Sequence, residues 1–479
     1  MDNFINAHFF SLPSQGNIYS FTKLSLINGI NKLLVASLKR KIYSFDYTEN
    51  AEQLLQPNLK EIAFTYIPNG AEIISIDAFN KSVTCNDFCI GITIIKPNLA
   101  LSDTEGPSTE TYLNIYTEHD IDATFNLENI AQNCLILELN FIPYQLYHAE
   151  LLPLPENHSC DEIGWLVSGS DFKIHVFKED ILNHTYYEVD ASDFFPEFKV
   201  MPSVITWFSL EYANEKTRRI SAIGCECGHI QLSVVCTITS VVLNIWTELL
   251  DGSVSNVLVL KFQSKVTEPP EKFKKFFESK EINTEDESSN FHLLVVNTLK
   301  PSLVFMDVMN NGLAQRKYLS GSDQFDMSTC GAIADLDFDG QMEILIGCYA
   351  EVILMYKYNG EKWVLRSRYK LANPIHGLKY LDLTGDGVKE LAVLTLTGVH
   401  VLQHNPKDIY RKFINRLKKL MGKSYDLEDF NKDDEDSENG SILSEQENLT
   451  GLDSESTCEE GSEPSQDISI LTVLSENLT

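Results

Sequence analysis

The stretch that decides the fold contains two copies of one pattern, GAIADLDFDGQMEILIGCYAEVILMYKY (Gly331–Tyr358) and HGLKYLDLTGDGVKELAVLTLTGVHVLQH (His376–His404). In each copy a short apolar strand leads into an acidic turn, and an apolar strand, a turn of small residues and a third strand follow. The two turns begin at Asp335 and Asp382, 47 residues apart. This spacing is close to the repeat of about 40–50 residues that is typical of propeller blades.

Each acidic turn carries oxygen atoms in the pattern of a cation-binding loop. Oxygens at positions 1, 3, 5 and 9 of a tight loop, with Gly at position 6, can surround a hard cation such as Ca²⁺. In the first and second copies, respectively, these positions hold Asp335, Asp337, Asp339 and Glu343, and Asp382, Thr384, Asp386 and Glu390. The spacing resembles the calcium loops of FG-GAP repeats in integrin alpha-chain propellers, and it lacks the bidentate Glu at position 12 of an EF-hand.

Two interpretations of these turns stay open on the sequence. The first copy has a full set of carboxylates, so one interpretation is a structural Ca²⁺ site there and a weaker site in the second copy, where Thr384 replaces a carboxylate. The other is that both are Asp-Gly corners whose side chains accept hydrogen bonds from their own backbone. The second interpretation needs no metal, and no other cofactor is expected.

The same unit of strand, turn, apolar strand, turn and strand occurs five more times towards the N-terminus. These units begin at Phe21, Glu72, Tyr144, Val204 and Ser255. Between units lie segments of alternating apolar and polar residues, as expected for a half-exposed outer strand, and the first of these is EIAFTYI (Glu61–Ile67). We therefore predict an all-β fold, a seven-bladed β-propeller with FG-GAP-like repeats over residues 1–405.

The seventh unit has no outer strand after it, because the chain turns helical beyond His404. A strand-like segment, NAHFFSL (Asn6–Leu12), precedes the first unit and has no other predicted partner. We expect it to fill the outer position of the last blade and so to join the two ends of the ring. A closed ring leaves only short, protected sheet edges.

Segments outside the repeats are predicted as loops, one helix and a tail. Residues 97–111 and 263–290 are polar inserts and are expected to be surface loops. Residues 406–424, with the sequence KDIYRKFINRLKKLMGKS from Lys407, have the spacing of a basic amphipathic helix, which could pack on the propeller, enter a partner's groove or contact an anionic membrane surface. Residues 425–479 are acidic and rich in serine, and they are predicted to be disordered.

Composition and charge exclude several classes of protein. The net charge is −31, and Asp426–Thr479 alone contains 17 acidic residues and one basic residue, which argues against non-specific nucleic-acid binding. We expect neither a signal peptide nor a transmembrane segment, because no apolar run reaches about 18 residues. The ten cysteines form no paired C-x-x-C knuckles, which favours a reducing, cytoplasmic environment.

Four longer stretches resemble the kaptin family, in the same order as in that family, and the resemblance extends over about residues 14–405. They are Ala71–Ser82, Asn126–Gln132, Ser320–Asp326 and Asp382–Val393. The resemblance implies a subunit of the KICSTOR complex, which sits on lysosomes, recruits the GATOR GTPase-activating complex and restrains TOR complex 1 when amino acids or glucose are scarce. The partners that it implies are a second FG-GAP-type propeller protein, a very large platform subunit, the GATOR complex and actin filaments (F-actin).

These observations favour a non-catalytic interaction scaffold, held at the lysosomal membrane through partners and present in actin-rich protrusions if it binds actin. No phosphate-binding Gly loop, H-E-x-x-H or G-x-S-x-G motif is present. An actin-filament-binding protein is the first alternative, and a propeller enzyme with structural calcium is the second. The innermost strands offer only Asp77, His148 and Glu150 as scattered candidates, and His400 and His404 are interpreted as packing or solvated residues.

Overall fold

The computed structural model of the chain describes residues 4–27, 29–49, 54–82, 86–98, 108–117, 126–152, 162–180, 182–262, 290–338, 341–408 and 411. The chain divides into two compact units, residues 1–405 and 406–479. Within its described residues the first unit contains seven four-stranded antiparallel sheets. In the second unit, residues 406–408 and 411 are helical, while the rest of the predicted basic helix and the acidic tail lie outside the described residues.

Blades are numbered here in chain order and their strands are given from the innermost outward. Blade 1 consists of β2 (Phe21–Ser25), β3 (Asn31–Ala36), β4 (Ile42–Glu49) and β5 (Leu55–Ile62). Blade 2 consists of β6 (Glu72–Asn80), β7 (Phe88–Asn98), β8 (Ser108–Thr117) and β9 (Cys134–Leu139). Blade 3 consists of β10 (Pro143–Glu150), β11 (Ile163–Gly169), β12 (Ile174–Asp180) and β13 (Thr185–Val189).

The remaining four blades follow the same plan. Blade 4 consists of β14 (Ile205–Ala213), β15 (Arg218–Cys225), β16 (His229–Cys236) and β17 (Val241–Leu249). Blade 5 consists of β18 (Val254–Phe262), β19 (Asn290–Asn297), β20 (Leu303–Phe305) and β21 (Arg316–Tyr318). Blade 6 consists of β22 (Ser328–Ala334), β23 (Glu343–Cys348), β24 (Val352–Tyr358) and β25 (Trp363–Lys370), and blade 7 of β26 (Ile375–Leu381), β27 (Glu390–Thr395), β28 (Gly398–His404) and, outermost, β1 (Phe4–Ser11).

Short helices connect some of these strands. They are α1 (Leu127–Ile130), α2 (Ala191–Phe194), α3 (Val308–Asn311) and a 3-10 turn at Ser322–Gln324. Among the described residues, no helix has both the length and the apolar character that crossing a membrane requires.

The apolar core lies between neighbouring blades. Every residue of β23 and β27 is buried, as expected for strands that are covered on both faces and therefore read as continuous apolar runs. The inner strands β2, β6, β10, β14, β18, β22 and β26 contact one another in chain order. Phe21 and Leu33 of blade 1 share an apolar cluster with Leu381 and Leu394 of blade 7, so the series of blades closes on itself. The predicted seven-bladed propeller is confirmed.

The N-terminal strand closes the ring, as the sequence predicts. β1 pairs antiparallel with β28, from Phe4 opposite His404 to Ser11 opposite Gly398. The Leu12 amide extends the pairing by donating to the Thr397 carbonyl at 2.9 Å. One blade is thus built from both ends of the repeat region, and unfolding either end must break a sheet.

Hydroxyl groups near the channel bind successive blades together. The inner strand has a register shift near its start in six of the seven described sheets. In blades 4, 5 and 6 the residue at this irregularity carries a hydroxyl that donates to the first carbonyl of the next inner strand. The three bonds are Thr206 Oγ1 to Val254 O (2.5 Å), Ser255 Oγ to Ser328 O (2.8 Å) and Thr329 Oγ1 to Ile375 O (2.6 Å).

Two sequence-based boundaries were wrong. The outer strand of blade 1 is β5, Leu55–Ile62, and not Glu61–Ile67, because the apolar residues after Ile62 pack in a turn where Phe64 contacts the Tyr116 ring. The predicted insert 97–111 is shorter than expected, since β7 and β8 continue their hairpin pairing to Asn98 opposite Ser108. Residues 99–107 and 263–289 of the two inserts lie outside the described residues.

Candidate functional site

The acidic turn of blade 6 gathers three of its four predicted ligands. Asp335, Asp337 and Glu343 each offer a carboxylate oxygen, and these oxygens all lie within 4.8 Å of one another. Glu343, the first residue of β23, is buried and accepts a hydrogen bond from the Leu336 amide at 2.8 Å. The fourth predicted ligand, Asp339, lies outside the described residues. The geometry therefore brings the predicted residues together at the turn between β22 and β23.

An ammonium group already lies among these carboxylates. Lys357 on β24 places its Nζ 2.5 Å from Asp337 Oδ2 and 3.0 Å from Glu343 Oε1. A calcium ion bound by the same oxygens would have to displace this ammonium. Burial also raises the pKa of Glu343 to about 7, although the Leu336 amide and Lys357 act in the other direction. A carboxyl group must be deprotonated to bind a metal, so the raised pKa weakens this ligand at neutral pH.

The acidic turn of blade 7 is held by its own backbone. Asp382 accepts hydrogen bonds from the amides of Gly385 (2.6 Å) and Gly387 (2.8 Å), and Asp386 accepts one from Val388 (2.7 Å). Glu390 occupies the position in blade 7 that Glu343 occupies in blade 6. Its carboxylate accepts from the Leu383 amide at 2.7 Å and the Thr384 hydroxyl at 3.1 Å.

Burial raises the pKa of Glu390 to about 8, and the carboxylates of Asp386 and Asp382 add to this effect. The four predicted ligands of blade 7 therefore form hydrogen bonds within the turn itself, which is the arrangement that the metal-free interpretation describes.

Comparison of the two blades shows a paired change of residues. Ile344 pairs with Tyr356, and Leu391 pairs with Leu402, so Lys357 and Gln403 occupy equivalent positions. The residue two positions after the first Asp of the turn is Asp337 in blade 6 and Thr384 in blade 7. The additional carboxylate of blade 6 thus occurs together with an additional ammonium. In blade 6 the side chains fit an internal ammonium better than calcium, and calcium binding stays a prediction.

We expect chelation of divalent metals by EDTA to leave the unfolding midpoint of the wild-type chain unchanged. Lys357→Met should lower stability by about 1–3 kcal/mol, because Glu343 would lose a charged partner while remaining buried. Added calcium should restore part of this loss in the variant only. Gln403→Met at the equivalent position of blade 7 is the matched control and should show no calcium response. A drop in the wild-type midpoint on chelation would instead establish a metal site.

His400 and His404 are packing residues, as the sequence analysis interprets them. Both are buried, and both contact the closing strand: the His400 ring lies 4.5 Å from Phe9 and the His404 ring 4.2 Å from Phe4. His404 also contacts the ring of Phe338 at 4.8 Å. The two imidazoles therefore join β1 and the blade 6 turn to blade 7.

The channel-side candidates are only partly brought together. His148 Nδ1 lies 2.7 Å from Asp77 Oδ2, and this pair joins blades 2 and 3. Glu150 instead pairs with Lys216 at 2.7 Å. Lys379, which the sequence pattern does not predict as a site residue, lies over the Phe21 ring with its Nζ 5.9 Å from the ring centre. In the sequence Lys379 is distinguished only as the single lysine of the inner strand β26.

Two comparisons with known proteins agree on one family. The family model described as "KICSTOR complex protein kaptin" matches residues 4–414. The mouse (Mus musculus) KICSTOR complex protein kaptin is 35% identical over 415 residues, which cover 86% of this chain and 90% of the mouse protein. Two crystal structures of BBS1N in complex with ARL6DN, soaked with lead or with mercury, align at TM-scores of 0.47 and 0.34. Their identities are 10% and 11%, and each alignment covers 85% of this chain and 97% of the other, but TM-scores this low carry no inference.

The fold and its closure define a seven-bladed β-propeller whose last blade is completed by the N-terminal strand. The family match covers this whole ring and a few residues beyond it. The chain belongs to the kaptin family of KICSTOR complex proteins.

Proposed function

We propose that the chain is a non-catalytic scaffold subunit of a KICSTOR-type complex. In this role it helps to hold the GATOR GTPase-activating complex at lysosomes and to restrain TOR complex 1 when amino acids or glucose are scarce. The proposal rests on the match to the kaptin family over residues 4–414 and on the 35% identity to a family member over 415 residues. Its expected partners are a second propeller subunit, a large platform subunit and the GATOR complex.

The outer strand of blade 4 supports a role in protein–protein contact. Val241, Leu243, Ile245 and Leu249 of β17 are all exposed, with 41–70% of each side chain accessible. Residues two apart on a regular strand lie on one face, so Ile245 and Leu249 share a face, while a bulge between Val242 and Asn244 interrupts the alternation before them. An edge strand that exposes several aliphatic side chains is a surface on which a partner can add a strand of its own.

Two of the other long outer strands carry residues that discourage such pairing. β25 exposes Arg366, Arg368 and Lys370, and β5 contains Pro57 and Lys60. Charged residues and proline on an edge strand oppose pairing with another chain. β17 has neither a basic residue nor a proline along its nine residues. We therefore assign the strand edge of β17 to a subunit that contributes an extended strand with aliphatic side chains.

The proposal is tested by affinity purification of the tagged full chain, with mass spectrometry, from fed and starved cells. We expect the other complex subunits to copurify with the wild-type chain in both states. Leu243→Lys with Ile245→Lys should reduce this recovery about tenfold or more, because loss of an interface hot spot costs about 2 kcal/mol or more. The matched control is Leu55→Lys with Leu59→Lys on β5, where the two leucines are about as exposed.

Different outcomes separate the candidate functions. Equal recovery of subunits with both double variants would place the contact away from β17 but would leave the scaffold proposal standing. Failure of the wild-type chain to copurify with any complex subunit would overturn the proposal. Direct pelleting of purified chain with actin filaments, without recovery of the complex, would support the actin-binding alternative.

A further inference from the structure

Two lysines from neighbouring blades face each other beside the central channel. Lys379 on β26 lies over the Phe21 ring of β2, with its Nζ 5.9 Å from the ring centre. Gly377 faces the same ring, since a Cβ at that position would lie 3.0 Å from Phe21 Cδ1. Side chains two residues apart on a strand share a face. Lys23, two residues after Phe21, therefore faces blade 7 at the level of Lys379.

Asp77 is the carboxylate whose charge acts on both lysines, and it already has other hydrogen-bond partners. Asp77 of β6 accepts a hydrogen bond from Thr22 Oγ1 at 3.0 Å and lies 2.7 Å from His148 Nδ1. No salt bridge joins Lys23 or Lys379 to another residue in the part of the chain that the structure describes. The two ammonium groups are thus a local excess of positive charge on the inner strands.

The pKa values of both lysines are lowered, as expected for ammonium groups that are partly buried near other positive charges. Burial lowers the pKa of Lys379, Asp77 acts in the opposite direction and the Lys23 ammonium adds to the lowering. Burial also lowers the pKa of Lys23, the nearby Lys389 adds to the lowering, and Asp77 acts in the opposite direction. Like charges held close together raise the free energy of the folded chain, and a bound anion would relieve this cost.

The channel is obstructed at the end where the inner strands begin. Tyr19, just before β2, reaches to blade 4, where its hydroxyl donates to the Thr206 carbonyl at 2.6 Å and its ring stacks on Trp207 at 5.6 Å. Blades 1 and 4 are three apart in a ring of seven, so this side chain crosses the channel. The Ile76 amide holds the segment by donating to the Tyr19 carbonyl at 3.1 Å. Lys23 and Lys379 lie farther along their strands and are therefore reached from the other end.

We propose that the junction of blades 7 and 1 is a binding site for a small phosphorylated anion, with Lys23 and Lys379 as its two cationic ligands. Each ammonium supplies up to three donors, and a phosphate group offers several acceptor oxygens that two such donors can share. The Tyr19 bridge across the channel favours a small molecule over a chain that threads through the ring. The chain as a whole carries a net charge of −31, so the lysine pair is opposite in sign to the overall charge.

The site is tested on the full chain with inorganic phosphate and pyrophosphate as probes, against sodium chloride of equal ionic strength. We expect both probes to raise the unfolding midpoint, and pyrophosphate to raise it more. Lys379→Met and Lys23→Met should each weaken pyrophosphate binding about tenfold by titration calorimetry, because each removes a charge-assisted hydrogen bond. Lys370→Met on the exposed edge of β25 is the matched control and should bind as the wild type does.

A second readout distinguishes an anion site from a purely structural role. Without an anion, Lys379→Met should raise the unfolding midpoint, because the repulsion between the two ammonium groups is removed. Lys23 is exposed, so Lys23→Met decides the binding question even if Lys379→Met fails to fold. The proposal is overturned if the probes stabilise no more than sodium chloride does, or if Lys23→Met binds pyrophosphate as tightly as the wild-type chain.

Discussion

Phe10→Ala should lower the free energy of unfolding by about 3–5 kcal/mol, the range for removing a buried aromatic ring from a well-packed core. Phe10 is 8% exposed and stacks on Phe45 of blade 1, with ring centres 5.3 Å apart. It belongs to β1, the strand that completes blade 7, so its ring joins the last blade to the first. Urea unfolding monitored by tryptophan fluorescence would measure the change.

The neighbouring phenylalanine provides a matched control for this prediction. Phe9 is on the same strand, but 48% of its side chain is exposed and it points to the other face. Phe9→Ala should therefore cost only about 1 kcal/mol or less, because less apolar surface leaves a buried environment. Equal losses in the two variants would contradict the claim that β1 closes the ring by burying one face against blade 1.

Glu197→Ala should be about as damaging as Phe10→Ala. Glu197 and Arg219 are fully buried and form two hydrogen bonds, from Arg219 Nε (2.9 Å) and Nη2 (3.0 Å) to the two carboxylate oxygens. The Ser221 hydroxyl donates to the same carboxylate at 2.6 Å. The variant would leave Arg219 as an uncompensated buried charge, which costs about 3–5 kcal/mol. Calorimetric or urea unfolding would measure the loss.

The same pair allows a double-mutant cycle. Combining Glu197→Leu with Arg219→Met should recover most of the loss, because replacing both partners of a buried ion pair by apolar residues is often neutral or stabilising. Lys216→Ala breaks the more exposed pair with Glu150 and should cost no more than about 1 kcal/mol. If Glu197→Ala cost as little as Lys216→Ala, the buried pair would have no role in holding blade 4 to the segment after α2.

The sequence predicts the blades best where burial leaves a periodic signal. After an initial Glu, β23 and β27 read as largely apolar runs because both of their faces are covered. β5 gives no such signal. It is almost wholly exposed and contains Pro57, so the apolar residues after it were mistaken for the strand.

Only those residues of the candidate site that are close in sequence, in the blade 6 turn, are predictable from the sequence. The turn residues Asp335 to Glu343 are close in sequence, and their grouping follows from loop geometry alone. Lys357 enters the same group from the next strand, so its role depends on register, although the paired change to Thr384 and Gln403 in blade 7 is a signal within the sequence. The placement of Lys379 over Phe21 requires the closed ring, which brings distant parts of the chain together.

One residue of the blade 6 turn, Phe338, has a backbone conformation that is unfavourable for a residue with a side chain. Phe338 has φ 54, in the left-handed region where the equivalent residue of blade 7 is Gly385, with φ 76. A side chain in this region costs about 1–2 kcal/mol. The Phe338 ring contacts His404 of blade 7 at 4.8 Å, a contact that a glycine at this position would not make. Neither feature can be read from residues 335–343 alone.

TOR complex 1 activity in starved cells tests the scaffold assignment most directly. Cells that lack the chain are re-supplied with the wild-type chain, with the Leu243→Lys and Ile245→Lys variant, or with the Leu55→Lys and Leu59→Lys control. Phosphorylation of a TOR complex 1 substrate is then measured after amino-acid withdrawal. The scaffold assignment predicts that phosphorylation persists in cells lacking the chain and falls when the wild-type or control chain is supplied, but not with the β17 variant. Normal loss of phosphorylation in starved cells without the chain would contradict it.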